Sequence, residues 1–220
     1  MLNPESIVYN ADCMDIMKGY PDKYFDLAVV DPPYGIDADI KNNGKNSDRH
    51  EKTALAKINT YKKTNWDNET PNKDYFNELK RVSKKQIIWG ANFFGLIGGM
   101  LYWHKNVTMP TYSTGELAWL SWLQKIDFVN ITWHGMLQQN MKNKEIRIHP
   151  TQKPIALYDW IFKNYAKPTD KILDTHLGSG SSRIAAYKSG LSFVGIELDR
   201  DYFEAQEKRF NTFKSQLRLF

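Results

Sequence analysis

The stretch 171–199, KILDTHLGSGSSRIAAYKSGLSFVGIELD, decides the fold. A short apolar run, Ile172 and Leu173, ends in Asp174, and Gly178-Ser179-Gly180 then turns the chain. Ser181–Ser189 has the composition of a helix, and Gly190 follows it where a helix C-terminal cap is expected. A second apolar run, Ser192–Ile196, ends in Glu197. The order is strand, glycine turn, helix, strand, acid. Glycines let the backbone come close to a ligand where a Cβ would collide, and the start of the helix offers free N–H groups. Glu197 stands 19 residues after Gly178, where a carboxylate accepts the hydroxyls of a ribose. A purely structural turn with an incidental acid explains fewer of these features than a nucleoside site does.

The nucleoside is narrowed by what is missing. A dinucleotide site wants a third glycine at position 183 for close helix–strand packing, and that position is Arg183. The eight-residue phosphate loop ending in Lys-Ser/Thr is also absent. A ligand with a ribose and no phosphates fits better, and S-adenosyl-L-methionine is such a ligand. Gly178, Ser179, Gly180 and Ser181 supply donors and small residues for its carboxypropyl end.

Further out, the run LAVVDPPYGI (27–36) carries four apolar residues straight into Asp31-Pro32-Pro33-Tyr34. Other strand candidates are Gln86–Gly90, Met100–His104, Leu117–Trp122 and Phe128–Trp133. Helices are expected at Cys13–Lys18, Asn72–Val82, Ile155–Tyr165 and Arg200–Leu217, the third opening just after Pro154. Continuous Val/Ile/Leu strands joined through helices imply an α/β fold. Its sheet is mixed and mostly parallel, with helices on both faces. Between 101 and 148 strands outnumber helices, so part of the sheet is expected to be antiparallel or to form an appendage. On the last helix Phe203, Gln206, Phe210, Phe213, Leu217 and Phe220 recur at helical spacing and should pack on the sheet, with a dimer contact as the alternative.

The 220 residues suit one domain. No apolar run reaches the roughly 18 residues of a membrane span, and no signal-peptide core opens the sequence. The one cysteine, Cys13, excludes an internal disulfide and points to a reducing cytoplasm. The five histidines lack metal-ligand spacing, so no metal is expected. The tryptophans, Trp89, Trp103, Trp119, Trp122 and Trp133 among them, read as core, as does Trp66. Net charge is +5, and the segment Lys41–Lys63, with seven Lys/Arg against Asp48 and Glu51, equals the whole excess. Such a segment is a solvated loop or a phosphate-contacting one, and the two readings are compatible.

These residues resemble the amino-group DNA methyltransferases, which methylate N6 of adenine or N4 of cytosine. Three motifs occur in order: Asp31-Pro32-Pro33-Tyr34, His149-Pro150-Thr151-Gln152-Lys153-Pro154, and Asp174 through Ser182. Target motif first and cofactor loop last is similar to the β-class order of that family. The resemblance implies a Rossmann-like S-adenosylmethionine-dependent fold. It implies that Asp31, Pro32, Pro33 and Tyr34 hold the target base, and that Asp174, His176, Gly178, Ser179, Gly180 and Ser181 lie along the methionine moiety. Glu197 would meet the ribose, Asp12 the cofactor adenine, and Gln152 and Lys153 would close the pocket. Trp89–Phe94, WGANFF, resembles a segment beside the cofactor, which adds Asn92 and Phe93.

Two departures stand out: Asp174-Thr175-His176 replaces the family's Asp-Pro-Phe, and Ser181-Ser182 its Thr-Thr. The expected activity is methylation of N6 of a flipped-out adenine at a specific site in double-stranded DNA, as in restriction-modification. Asp at position 31 favours adenine as the family's tendency, and N4 of cytosine is the alternative. An RNA or protein methyltransferase, or a non-catalytic DNA-binding relative, fits the motif order less well. Carbon-5 cytosine chemistry is excluded because Cys13 follows Asp12 rather than a proline. The expected organisation is one domain, 1–220, with a basic flexible loop at about 36–66 and a small target-recognition region at about 105–148. A homodimer is permitted, and the expected location is the cytoplasm of a prokaryotic or phage-infected cell.

Overall fold

The computed structural model describes residues 5–36, 67–109 and 112–217. The basic segment Lys41–Lys63, Trp66 and Phe220 lie outside these residues, as does the side chain of Leu217. Among the described residues there are ten strands: β1 (Ser6–Asn10), β2 (Phe25–Val30), β3 (Ser83–Trp89), β4 (Gly99–His104), β5 (Gly115–Leu120), β6 (Ile126–Asn130), β7 (Trp133–His134), β8 (Leu137–Gln138), β9 (Lys171–Asp174) and β10 (Ser192–Glu197). The helices among the same residues are α1 (Cys13–Lys18), α2 (Lys73–Val82), α3 (Ile155–Tyr165), α4 (Ser181–Lys188) and α5 (Arg200–Leu217). Eight strands form one sheet in the order β1-β10-β9-β2-β3-β5-β4-β6, and β7–β8 is a separate hairpin. From β1 to β3 every pairing is parallel, β5 runs antiparallel to β3 and β4, and β6 is parallel to β4. The sheet is mixed and mostly parallel, as expected.

β2 shows why the apolar run is continuous. Leu27 and Val29 point into a core shared with α3 and α4, among Leu157, Ile161 and Ala185. Ala28 and Val30 point into the opposite core with Met17, Leu79 and Val82 from α1 and α2. A strand covered on both faces has no polar side to offer. The apolar run Leu27–Val30 therefore ends abruptly, and the next residue, Asp31, emerges at the carboxyl edge of the sheet, where ligands bind in open α/β folds.

Three features differ from the sequence expectations. β1 escapes the pattern because its residues are only half-buried at the sheet edge, so its apolar signal is weak. The run Phe128–Trp133 is broken after Asn130, with Trp133 passing to the β7–β8 hairpin. Between 101 and 148 the expected antiparallel part is β5, within the main sheet, and the β7–β8 hairpin lies outside that sheet. On α5 the buried face runs through Tyr202, Gln206 and Phe210, so Phe203 and Phe213 sit at its margin. No helix among the described residues is long and apolar enough to cross a membrane.

Candidate active site

Beyond Val30 the chain turns through Asp31-Pro32-Pro33-Tyr34, and two features hold the turn. The buried Asp67 carboxylate accepts the backbone N–H of Tyr34 at 2.6 Å and of Gly35 at 3.0 Å. Gly90, at φ +76°, lets the Tyr34 ring lie against its backbone, since a Cβ there would stand 2.3 Å from a ring carbon. The ring stacks on Phe93 with centroids 4.8 Å apart, and Phe94 meets it edge-on. Tyr34 Oη donates to Asp31 Oδ1 at 2.5 Å, and Lys153 Nζ pairs with Asp31 Oδ2.

Two cavities meet at this turn, one of about 550 Å³ and one of about 310 Å³. Asp31, Pro33, Thr151, Gln152 and Lys153 line both. The larger runs back toward Asp12, Gly178 and Glu197, and the smaller toward Tyr34, Trp133 and Arg147. Lys153 is 5 % exposed and bridges two acids, pairing with Asp31 and, at 3.0 Å, with Glu116 Oε2. Lys105 pairs with the other oxygen of Glu116. Burial raises the Asp31 carboxyl above its ordinary range and outweighs the help of Lys153. For Glu116 burial is overcome by Lys153 and Lys105, which hold it at about 2. Lys153 loses solvation on burial but gains more from the two carboxylates, so its ammonium is reinforced.

The glycine turn lies across the larger cavity. Gly178 and Gly180 both adopt positive φ, +51° and +71°, which glycine alone visits freely. Glu197 accepts the N–H of Gly178 at 2.7 Å and of Asp199 at 2.9 Å, fastening the turn to the end of β10. Asp174 lies beneath it, accepting from Ser182 Oγ at 2.6 Å and His176 N at 3.1 Å, and burial pushes it up to about 7. From behind, Arg209 donates to the carbonyl of Ser179 at 2.7 Å and to Ser181 Oγ at 2.9 Å, and pairs with Glu145 at 2.7 Å. Glu145 also accepts the Ile155 N–H at 2.9 Å, serving the start of α3 where Pro154 has no side chain to cap it. Arg183, in place of a third glycine, lays its guanidinium over Phe210 and binds Gln206 and Glu207 of α5.

The sequence-derived residues thus divide into two groups. Asp12, Gln152, Lys153, His176, Gly178, Ser179 and Glu197 line the larger cavity. Asp174, Gly180 and Ser181 lie behind its wall, supporting the turn rather than facing the space. Lys153 does more than close a pocket, because its ammonium is committed to Asp31 and Glu116. Phe93 reaches the site through Tyr34, while Asn92 is exposed and lines neither cavity. Four residues were not legible as site residues beforehand: Asp67, Gly90, Glu116 and Arg209. Gly90 alone carried a signal, a glycine closing a strand. The others act through contacts more than 25 residues away in sequence.

The larger cavity suits a cationic ligand. Among the described residues Asp12, Asp31, Glu69, Glu197 and Asp199 line it, and the one lysine there, Lys153, is already paired. Burial lowers His149 to about 3 and His176 to about 4, so both rings are neutral. A phosphate would meet this acidic wall without a counter-charge, whereas the sulfonium and ammonium of S-adenosylmethionine find one. Cys13 also lines the cavity, but burial pushes its thiol up to about 12, which leaves no thiolate to act as a nucleophile. Among the described residues no group of His, Cys, Asp and Glu is arranged to hold a metal ion.

Comparison with known proteins identifies the family and the fold. The family model for N6/N4-type DNA methylases matches residues 58–208. The type II methyltransferase M2.MboI of Moraxella bovis is 25 % identical over an alignment covering 96 % of this chain and 92 % of that protein. M1.HpyAVI, solved in complex with SAM, superposes with a TM-score of 0.58 at 20 % identity, covering 92 % of this chain and 98 % of that one. The cytosine-N4-specific PvuII DNA methyltransferase superposes with a TM-score of 0.60 at 14 % identity, covering 94 % of this chain and 87 % of that one. The chain belongs to the amino-group (N6/N4) DNA methylase family and is an S-adenosylmethionine-dependent DNA methyltransferase.

Proposed function

We propose that the protein methylates N6 of an adenine turned out of double-stranded DNA, with the base in the smaller cavity and the cofactor in the larger. One observation carries this reading: Asp31 lies in the wall common to both cavities. A group placed there faces the acceptor on one side and the donor on the other.

When bound, S-adenosylmethionine supplies a methyl group on a sulfonium, which is electrophilic. Gly178, Ser179, Glu197, Asp12 and His176 would hold it. The exocyclic amine of adenine is a weak nucleophile because its lone pair is delocalised into the ring. The Asp31 carboxylate and the Pro32 carbonyl act as acceptors for its two N–H groups, which localises the lone pair on nitrogen. As positive charge grows there, the Asp31 carboxylate stabilises it. Fixing the turn through Asp67 and the two prolines holds both acceptors in place before the base arrives, a proximity effect. Extracting the base costs a few kcal/mol. Stacking on Tyr34 returns roughly 1–3 kcal/mol of it.

Adenine is preferred over cytosine because position 31 is an aspartate in the motif Asp-Pro-Pro-Tyr. The basic segment Lys41–Lys63, which follows the Asp31–Tyr34 motif in sequence, has the charge to contact DNA phosphates. The test is Asp31→Ala. Methyl transfer from labelled cofactor to DNA should fall to background while calorimetry still shows cofactor binding. Retention of more than about a tenth of wild-type activity removes Asp31 from the chemistry.

A further inference from the structure

Asp31, Lys153, Glu116 and Lys105 form a chain of alternating charge along the smaller cavity, starting from the wall it shares with the larger one. It joins the end of β2, the residue before Pro154, β5 and the residue after β4, elements that only the folded sheet brings together. Glu116 lines the smaller cavity between Lys105 and Lys153, on a strand position paired with Trp103 of β4. Its two oxygens are used unequally. Oε1 is engaged by Lys105, while Oε2 is buried and 3.0 Å from Lys153 Nζ, without a well-angled hydrogen bond among the described residues. Lys153, in turn, is directed at Asp31, the carboxylate that the target amine needs.

This poses a chemical problem. An ammonium resting on Asp31 competes with the amine for the carboxylate, and it opposes the positive charge that develops on nitrogen. Deleting the ammonium would leave two buried carboxylates facing each other, at a large cost. A second acceptor beside the ammonium resolves the conflict, since a small rotation of the Lys153 head group turns the Glu116 contact into a full hydrogen bond.

We propose that Glu116 is a positioning residue for methyl transfer: it takes over the Lys153 ammonium when the target amine engages Asp31. The site thereby stays electroneutral throughout. Empty, the ammonium is shared between the two acids. Occupied, it belongs to Glu116, and the freed face of Asp31 accepts the amine. This role rests on the reading of Asp31 as the acceptor of that amine.

The variants are Glu116→Gln and Glu116→Asp, assayed with DNA and S-adenosylmethionine. Glu116→Gln should lower kcat by about 10–100-fold, the range that small misplacements in a site produce. KM for both substrates should stay within about threefold. The pH profile gives a readout that packing alone would not move. The groups facing Asp31 are Tyr34, Lys153, Glu116, Tyr75 of α2, Tyr158 of α3 and Asp174 of β9. Loss of the Glu116 charge removes a repulsion, so the acid limb of kcat should move to lower pH even as the plateau falls. Glu116→Asp, which keeps the charge, should recover part of the rate. Three results would overturn the proposal: Glu116→Gln with near-normal kcat, a rate loss with an unmoved acid limb, or Glu116→Asp no better than Glu116→Gln. Asp31→Ala separates the two claims. If it is active, the reading of Asp31 itself fails. If it is dead while Glu116→Gln turns over normally, only the role of Glu116 fails.

Discussion

Gly90→Ala adds a single methyl group and should injure catalysis far more than folding. The added Cβ would stand 2.3, 2.7 and 2.8 Å from three carbons of the Tyr34 ring. Ordinary carbon contacts lie near 3.5–4.0 Å, so the ring must retreat by roughly 1 Å. It has little room, with Phe93 stacked on it, Phe94 against its edge and its hydroxyl bonded to Asp31. Overpacking of this kind costs about 1–3 kcal/mol. The positive φ of +76° adds roughly 1 kcal/mol for a residue with a Cβ. At about 2–4 °C per kcal/mol for a chain of this size, the melting temperature should fall by roughly 4–16 °C, leaving a folded enzyme at 20 °C. A shift of about 1 Å at the reacting centre costs on the order of 100-fold in rate. The assay is steady-state methyl transfer, with calorimetry for the cofactor, whose affinity should change little because Gly90 lines neither cavity. A folded Gly90→Ala enzyme with wild-type kcat would refute the idea that the Tyr34 ring is held in place for the reaction.

Three other outcomes are expected. Asp174 ionises near 7 in the fold and near 3.8 when unfolded, because burial disfavours its charge. Between these values the unfolded chain has already released a proton that the fold retains, so stability should decline as pH rises from about 4 to 7, by at most about 4 kcal/mol. Urea melts of the cofactor-free protein should show this decline, and Asp174→Asn should flatten it; equal slopes in the two proteins would contradict the assignment. Arg209→Lys keeps a charge for Glu145 but loses the second nitrogen, Nη1, which serves both Ser179 and Ser181, and should weaken cofactor binding by about tenfold in calorimetry. An unaltered affinity would show that the turn does not depend on that brace. Replacing Lys52, Lys57 and Lys62 together with alanine should reduce the slope of log Kd for DNA against log salt by roughly 2–3. An unchanged slope would return the basic segment to solvent.

What the sequence disclosed and what it withheld divide along a physical line. Residues 171–199 disclosed a parallel unit and a ligand turn because strand, glycine turn, helix and acid are all local in the chain. The continuous run of β2 disclosed a strand buried on both faces, and the motif order disclosed the family. Glu116 stayed hidden, since a lone acid in an apolar strand gains meaning only when β5 comes to lie beside Lys105 and Lys153. Asp67 stayed hidden for a related reason: 32 residues separate it from the Gly35 N–H it holds. Asp174, Gly180 and Ser181 were read as facing the ligand because motif residues usually do. Here they carry the turn from beneath, a distinction that side-chain direction decides and spacing does not.

The most direct test of the central claim is mass spectrometry of nucleosides from DNA incubated with the protein and isotopically labelled S-adenosylmethionine. Labelled N6-methyladenine is expected with the wild-type protein and none with Asp31→Ala. Labelled N4-methylcytosine in its place, or label in adenine that survives the loss of Asp31, would contradict it.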